Sequence, residues 1–230
     1  MHSGELSSQN KGTLLSDLIL GGQDGLVNVL GVILGVAAAS QNMKIIIAGG
    51  LAATFAESIS MAAVALTSKM AQRDHYASEL AREQREIKEL PEKEKAEIRR
   101  VYEAKGFKGK ILDDIVSHIT KDEALWVDIM MKEELELKEV TQKEIYVSSL
   151  IVGFSALVGS FIPLVPFFFL PIKTALIYSL IVSAVALFFV GIYKAKATVG
   201  KPVKTGIQMM IIGMAAALAG YLIGKLFGAQ

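Results

Sequence analysis

Long apolar runs and one block of charge divide this chain of 230 residues. A helix rises 1.5 Å per residue, so about 20 mostly apolar residues are needed to cross a hydrocarbon core roughly 30 Å thick. Five stretches meet that length: residues 14–39, 45–68, 145–172, 174–193 and 205–224. The last three contain no charged residue, and each predicts a membrane helix. The first two carry acidic exceptions, Asp17 and Asp24 in the first and Glu57 in the second.

Between the second and third stretches the pattern changes. The second helix meets no breaker after Ser68 until Pro91, and its polar continuation has only sparse apolar positions. Pro91 suits the first turn of a new helix, with Glu92, Glu94 and Glu97 near its positive end. Gly106 and Gly109 flank the next turn, and a third amphipathic helix is expected from about Ile111 to Lys138. Pro163, Pro166 and Pro171 are expected to end or kink the third span around Phe167, Phe168 and Phe169. The expected fold is all-α: a polytopic membrane protein of five transmembrane helices, with a three-helix insert between spans two and three. The corresponding divisions are 1–68, 69–143 and 144–230.

Composition supports a bilayer as the solvent, since 52% of the residues are hydrophobic. The formal net charge of +1 hides a segregation, because 18 of 23 acidic and 16 of 24 basic residues fall between Lys69 and Lys143. The insert is thus charged but nearly balanced, without the basic patch that a nucleic-acid partner requires. The absence of cysteine excludes thiolate metal sites, redox dithiols and disulfides. The polar N-terminal residues 1–12 lack the basic and apolar regions of a cleaved signal, so the first span is expected to direct insertion.

Lysines in the short loops predict the orientation. Lys44 alone separates spans one and two, and Lys173 alone separates three and four. Lys194, Lys196, Lys201 and Lys204 join four and five, which makes that loop cytoplasmic by the positive-inside rule. The N-terminus and insert are then cytosolic and the C-terminus is outside. Lys225 near the outer end runs against the rule, although its side chain can snorkel. Glycines at 21, 25, 31 and 35 in span one, and at 213, 220 and 224 in span five, put small residues on helix faces that can approach closely, within the chain or between chains.

The acidic residues in the spans are the first candidates for chemistry. Asp17 and Asp24 lie seven residues apart on one helix face, and Glu57 and Met61 lie four apart on another. A carboxylate near mid-membrane costs about 2.5–3.5 kcal/mol on insertion scales and normally faces a polar cavity or a partner. No basic residue lies in any span, so protons or metal cations must neutralise these groups. That points to a cation or proton pathway with oxygen ligands and one thioether. The alternative is that Asp17 merely starts a helix and Met61 faces lipid.

A second candidate set lies in the insert. Glu83 and Glu86 are spaced i, i+3, as are Glu94 and Glu97 across Pro91, and the third helix offers Met130, Met131 and Glu134. Two antiparallel helices can bring four carboxylates together, joined by a fifth and by methionine sulfur. Such a set suits divalent ions, with the thioether favouring softer transition metals. The competing interpretation is a solvated glutamate face.

The segment Asp17-Leu-Ile-Leu-Gly-Gly-Gln-Asp24-Gly25-Leu resembles the first-helix signature of the vacuolar iron transporter family. Glu57-Ser-Ile-Ser-Met61-Ala-Ala, the paired glutamates around Pro91, and Met130-Met131-Lys-Glu-Glu134-Leu-Glu-Leu resemble its later motifs in order. Together they span essentially the whole chain. The resemblance implies a dimeric five-helix exporter that removes ferrous iron from the cytosol in exchange for protons. It also implies metal binding by Asp24 and Met61 in the membrane, and by Glu83, Glu86, Glu94, Glu97, Met130, Met131 and Glu134 in the cytosolic domain. Asn28 departs from the expected serine or threonine, and Glu133 replaces an apolar residue. Manganese and other divalent ions remain open as substrates. A prokaryotic member would occupy the plasma membrane, and a eukaryotic one a vacuolar or other endomembrane.

His2, His75 and His118 lack partners at ligand spacing and are expected on the surface, while Trp126 is expected to pack the insert. No catalytic set, phosphate loop or dinucleotide fingerprint is present, so neither an enzyme nor a bound cofactor is expected. The expected partners are divalent metal ions, protons, lipid and a second copy of the chain. Two other function classes compete with transport: a membrane-anchored metal-binding or sensor module, and an iron-oxidising ferritin-like site. The latter usually has Glu-x-x-His pairs, and no histidine follows Glu83, Glu86, Glu94 or Glu97 at that spacing.

Overall fold

A computed structural model describes residues 3–197 and 200–228, and His2 lies outside them. The described residues form helices without a strand: α1 (Ser3–Ser40), α2 (Met43–Glu89), α3 (Pro91–Ala104), α4 (Gly109–Ile119), α5 (Glu123–Ile129), a π-helical turn (Met130–Glu134), α6 (Gln142–Phe169), α7 (Ile172–Ala197) and α8 (Pro202–Phe227). Five of them are long and apolar enough to cross a membrane: α1, α2, α6, α7 and α8. The chain divides into two compact units, one of Met1–Leu66 with Tyr146–Gln230 and the other of Thr67–Ile145.

In the first unit, local chemistry separates α1 from α2. Gln41 adopts a left-handed conformation at φ 46°, and Asn42 Oδ1 accepts the N–H groups of Lys44 and Ile45 at 3.0 and 3.4 Å. These donors would otherwise be orphaned at the start of α2. Pro163 and Pro166 do not end the third span, since α6 continues through both to Phe169. Neighbouring helices can satisfy groups that a proline disturbs. The Ser179 hydroxyl of α7 donates to the Pro163 carbonyl at 2.7 Å and so ties α7 to α6 beside the prolines. The break comes at Leu170 and Pro171, immediately before α7.

Small residues set how closely these helices pack. A Cβ at Gly21 or Gly25 would run into the backbone of Val152 or Ala156 on α6, and one at Gly220 or Gly224 into Gly31 or Gly35 on α1. The glycine faces of α1 and α8 therefore meet within one chain, where backbone contact replaces the side-chain burial available in water. On α2, Gly50 lies against Leu164 and Ile33, and the Ala62 carbonyl accepts from Ser149 of α6 at 2.7 Å. Many large apolar side chains stay exposed on the outward faces, among them Phe55, Ile59, Leu150, Phe154 and Phe189. That pattern suits a lipid surround.

The second unit has its own core of Ile87, Ile98, Leu112, Val116, Ile119, Trp126, Val127, Met130 and Met131. The expected single helix from Ile111 to Lys138 is instead α4, α5 and the π-helical turn. After Ile119 the helix stops, and Asp122 caps α5 by accepting from Ala124 and Leu125 N–H at 2.9 and 3.3 Å. At the other end the Leu135 N–H reaches back to the Met130 carbonyl at 3.0 Å, and Glu136 turns left-handed at φ 51°. Lys138 lies in the non-helical segment that follows.

Candidate functional site

In the first unit the structure brings α1 and α2 together through polar side chains. Asn28 donates from Nδ2 to Asp24 Oδ2 at 3.3 Å, and the Glu57 side chain lies close to both Asp24 and Asn28. Asp24 and Glu57 are half-buried, as is Met61 one turn further along α2. Two carboxylates in contact within apolar helices need a proton or a cation between them, because like charges at that distance repel and no basic side chain lies in the spans. Asp17 is also half-buried, with Oδ2 shielded and without a hydrogen-bond partner. It stands about 10 Å from Asp24 along the helix axis, given the rise per residue. Asp17 and Asp24 thus mark two levels of one α1 face.

In the second unit, α2 supplies Glu83 and Glu86, and α3 supplies Glu94 and Glu97. Glu94 is 0% exposed and Glu83 only 2%. Each leaves its Oε2 buried without a hydrogen-bond partner, as does Glu134 at the end of the π-helical turn. Met130 and Met131 are fully buried in the adjoining core. A π-helical turn adds a residue to the helix and is often found at functional sites. Here it follows α5 directly and carries both methionines and Glu134.

Basic side chains hold these carboxylates. Lys93 Nζ lies 3.1 Å from Glu86, 3.2 Å from Glu94 and 3.6 Å from Glu97. Arg82 reaches Glu79 at 2.8 Å, Glu83 at 3.0 Å and Glu86 at 3.7 Å, and Arg100 reaches Glu97 at 3.0 Å. With the side chains so engaged, no trio of His, Asp or Glu among the described residues adopts metal-holding geometry. Glu133 pairs with Lys105 of the α3 C-terminus, so its charge is spent outside the cluster.

The electrostatics record crowding. Burial pushes the Glu94 carboxyl up to about 7, the Lys93 hydrogen bond opposes this, and the neighbouring charges of Glu97 and Glu83 add to it. Burial, then Glu97 and Glu83, likewise raise Glu134. Glu86 is lowered, chiefly by its hydrogen bond from Lys93. Glu83, Glu94, Glu97 and Glu134 therefore share one electrostatic neighbourhood, drawn from α2, α3 and the π-helical turn. Such a site favours any cation that can replace the protons and ammonium now neutralising it.

The chain is similar to known proteins over most of its length. The VIT family pattern matches residues 15–225. The chain belongs to the VIT family. It is 33% identical to a protein named Vacuolar iron transporter 1 from Tulipa gesneriana, over 92% of this chain and 86% of that protein. Vacuolar iron transporter 1 from Arabidopsis thaliana is 30% identical over 93% of this chain and 86% of its own. Protein CCC1 from Saccharomyces cerevisiae is 29% identical over 94% of this chain and 69% of its own. Membership places this integral membrane chain among transporters rather than enzymes.

Within this VIT-family chain, the sequence marked Asn28 only as a departure from the family pattern and gave no role to Lys93, Arg82 or Arg100. Asn28 was visible as an amide four residues after Asp24 in an apolar run, and Lys93 as a lysine four residues before Glu97. Neither spacing reveals contacts to a second helix. His75 and His118 are exposed on α2 and α4, and Trp126 lies in the insert core.

Proposed function

We propose that this chain is a proton-coupled exporter that moves ferrous iron, or a related divalent transition metal such as manganese, out of the cytosol. The observation that carries this reading is the closeness of Asp24 and Asn28 on α1 to Glu57 on α2, within membrane-spanning stretches that contain no basic residue. The names of the relatives support iron as the substrate. Asp17, Asp24, Glu57 and Met61 form the route, the carboxylates alternating between protons and metal. Protonation empties the route, and a divalent ion entering from the cytosol displaces the protons.

Residues 69–143 act as the cytosolic metal-collecting domain, between membrane divisions 1–68 and 144–230. Glu83, Glu86, Glu94, Glu97, Glu134, Met130 and Met131 capture the ion there. The lysines around the α7–α8 junction support a cytosolic N-terminus and insert, and the family resemblance supports a homodimer. The membrane is vacuolar or another endomembrane in a eukaryote and the plasma membrane in a prokaryote. A second reading, a membrane-anchored metal-binding or sensor module, draws on the separate compact unit and core of Thr67–Ile145.

Proteoliposomes loaded with a pH dye and a metal dye separate these readings. Exchange requires metal to leave the cytosolic face faster when the opposite side is more acidic, with protons moving the other way. Metal flux indifferent to the pH gradient leaves a uniporter or channel. No flux at all favours the sensor.

A further inference from the structure

The insert cluster contains a cation of its own. Lys93 sits in the first turn of α3, where the helix dipole disfavours positive charge. Its ammonium nevertheless reaches Glu86 on α2 as well as Glu94 and Glu97 on α3. Two of the cluster's carboxylates, Glu83 and Glu94, are almost wholly buried and each keeps one oxygen unpartnered. The cluster is therefore short of cationic partners even with Lys93 in place. Lys93 itself is 53% exposed, so its four-carbon stem has a path to solvent.

Resting on the proposed capture of metal by these glutamates, we propose that Lys93 is a tethered competitor, holding the carboxylates together without metal and swinging out when a divalent ion enters. A divalent ion carries twice the charge of the ammonium and can bond several carboxylate oxygens at once. The two cations would repel each other across the same oxygens, so occupancy is an exchange. Arg82 and Arg100 are poorer candidates for this role. Arg82 is shared with Glu79, and Arg100 touches Glu97 alone of the glutamates in the cluster. The lysine lowers the affinity of the insert, so that captured metal can be released again.

The test is equilibrium binding of Mn2+ to the full-length protein in detergent, followed by the paramagnetic signal of free Mn2+. Lys93→Gln should bind Mn2+ about tenfold more tightly than the parent, from loss of a competing charge pair. Lys93→Arg keeps the charge and should bind no more tightly than the parent. Unchanged or weaker binding by Lys93→Gln overturns the competitor role, as does equal tightening by both variants. Glu94→Gln in the parent background guards the underlying reading. If it leaves Mn2+ binding intact, the insert is not the capture site and both proposals fall, whereas loss of binding in Glu94→Gln with no gain in Lys93→Gln removes the lysine role alone.

Discussion

Glu94 offers a sharp test of the electrostatics, because it is a buried carboxyl raised to about 7 from an ordinary value of 4.5. In the metal-free protein the folded state holds this proton more tightly than the unfolded chain does. Stability from this group is therefore complete below about pH 4.5 and falls as pH rises toward 7. The difference of about 2.5 units, at roughly 1.4 kcal/mol each, sets the loss above pH 7 at no more than about 3.5 kcal/mol. Glu134 shifts in the same direction and adds to the slope, while Glu86, shifted down, acts only in more acid solution. Glu94→Gln keeps the volume and removes the charge, so at pH 8 the metal-free insert should gain up to about 3.5 kcal/mol and lose much of its pH dependence. Trp126 is the only tryptophan and lies in the insert core, so its fluorescence reports unfolding of this unit within the full-length chain. Urea titrations with a chelator present, between pH 5 and 8, measure the effect. A parent protein whose insert is equally stable across that range would refute the reasoning, as would a Gln variant less stable than the parent at pH 8.

Other changes probe the membrane unit. Asp24→Ala should reduce metal flux in proteoliposomes to background while the protein still folds, since it removes a pathway ligand and relieves an insertion cost of about 2.5–3.5 kcal/mol. Normal flux would exclude Asp24 from the route. Met61→Leu conserves volume and should cost less than about 1.5 kcal/mol in stability, yet slow transition-metal flux several-fold. Equal flux in variant and parent would leave Met61 a packing residue. Gly224→Val forces a side chain into the Gly35 backbone of α1. It should destabilise the α1–α8 contact by at least about 1–3 kcal/mol, seen as a lower melting temperature in detergent.

Hydropathy made the five spans legible in the sequence, because lipid selects for a property that adds up residue by residue along a local stretch. The same locality explains why the carboxylates at 17, 24 and 57 stood out, for any charge in such a run is costly wherever the helix packs. Local reading failed where tertiary contacts or backbone bonds decided the outcome. Pro163, Pro166 and Pro171 were expected to end or kink the third span, and the helix runs through Pro163 and Pro166 and breaks only at Leu170 and Pro171. The helix expected to reach Lys138 was broken by the Asp122 cap and ended by a π-helical turn, both set by specific hydrogen bonds rather than by apolar periodicity.

The class of the molecule and the chemical types of its candidate ligands follow from the order of its residues. Which of those ligands meet follows from how the helices pack. Asp24 and Glu57 are 33 residues apart and come into contact through the packing of α1 against α2, with Asn28 as a third partner that spacing on one helix could not assign. Likewise the glutamates of α2 and α3 were visible as a pattern, but not the lysine that joins them. A long flexible side chain on one helix can reach across to another, and where its charge comes to rest depends on burial and neighbouring charges that exist only once the chain has folded.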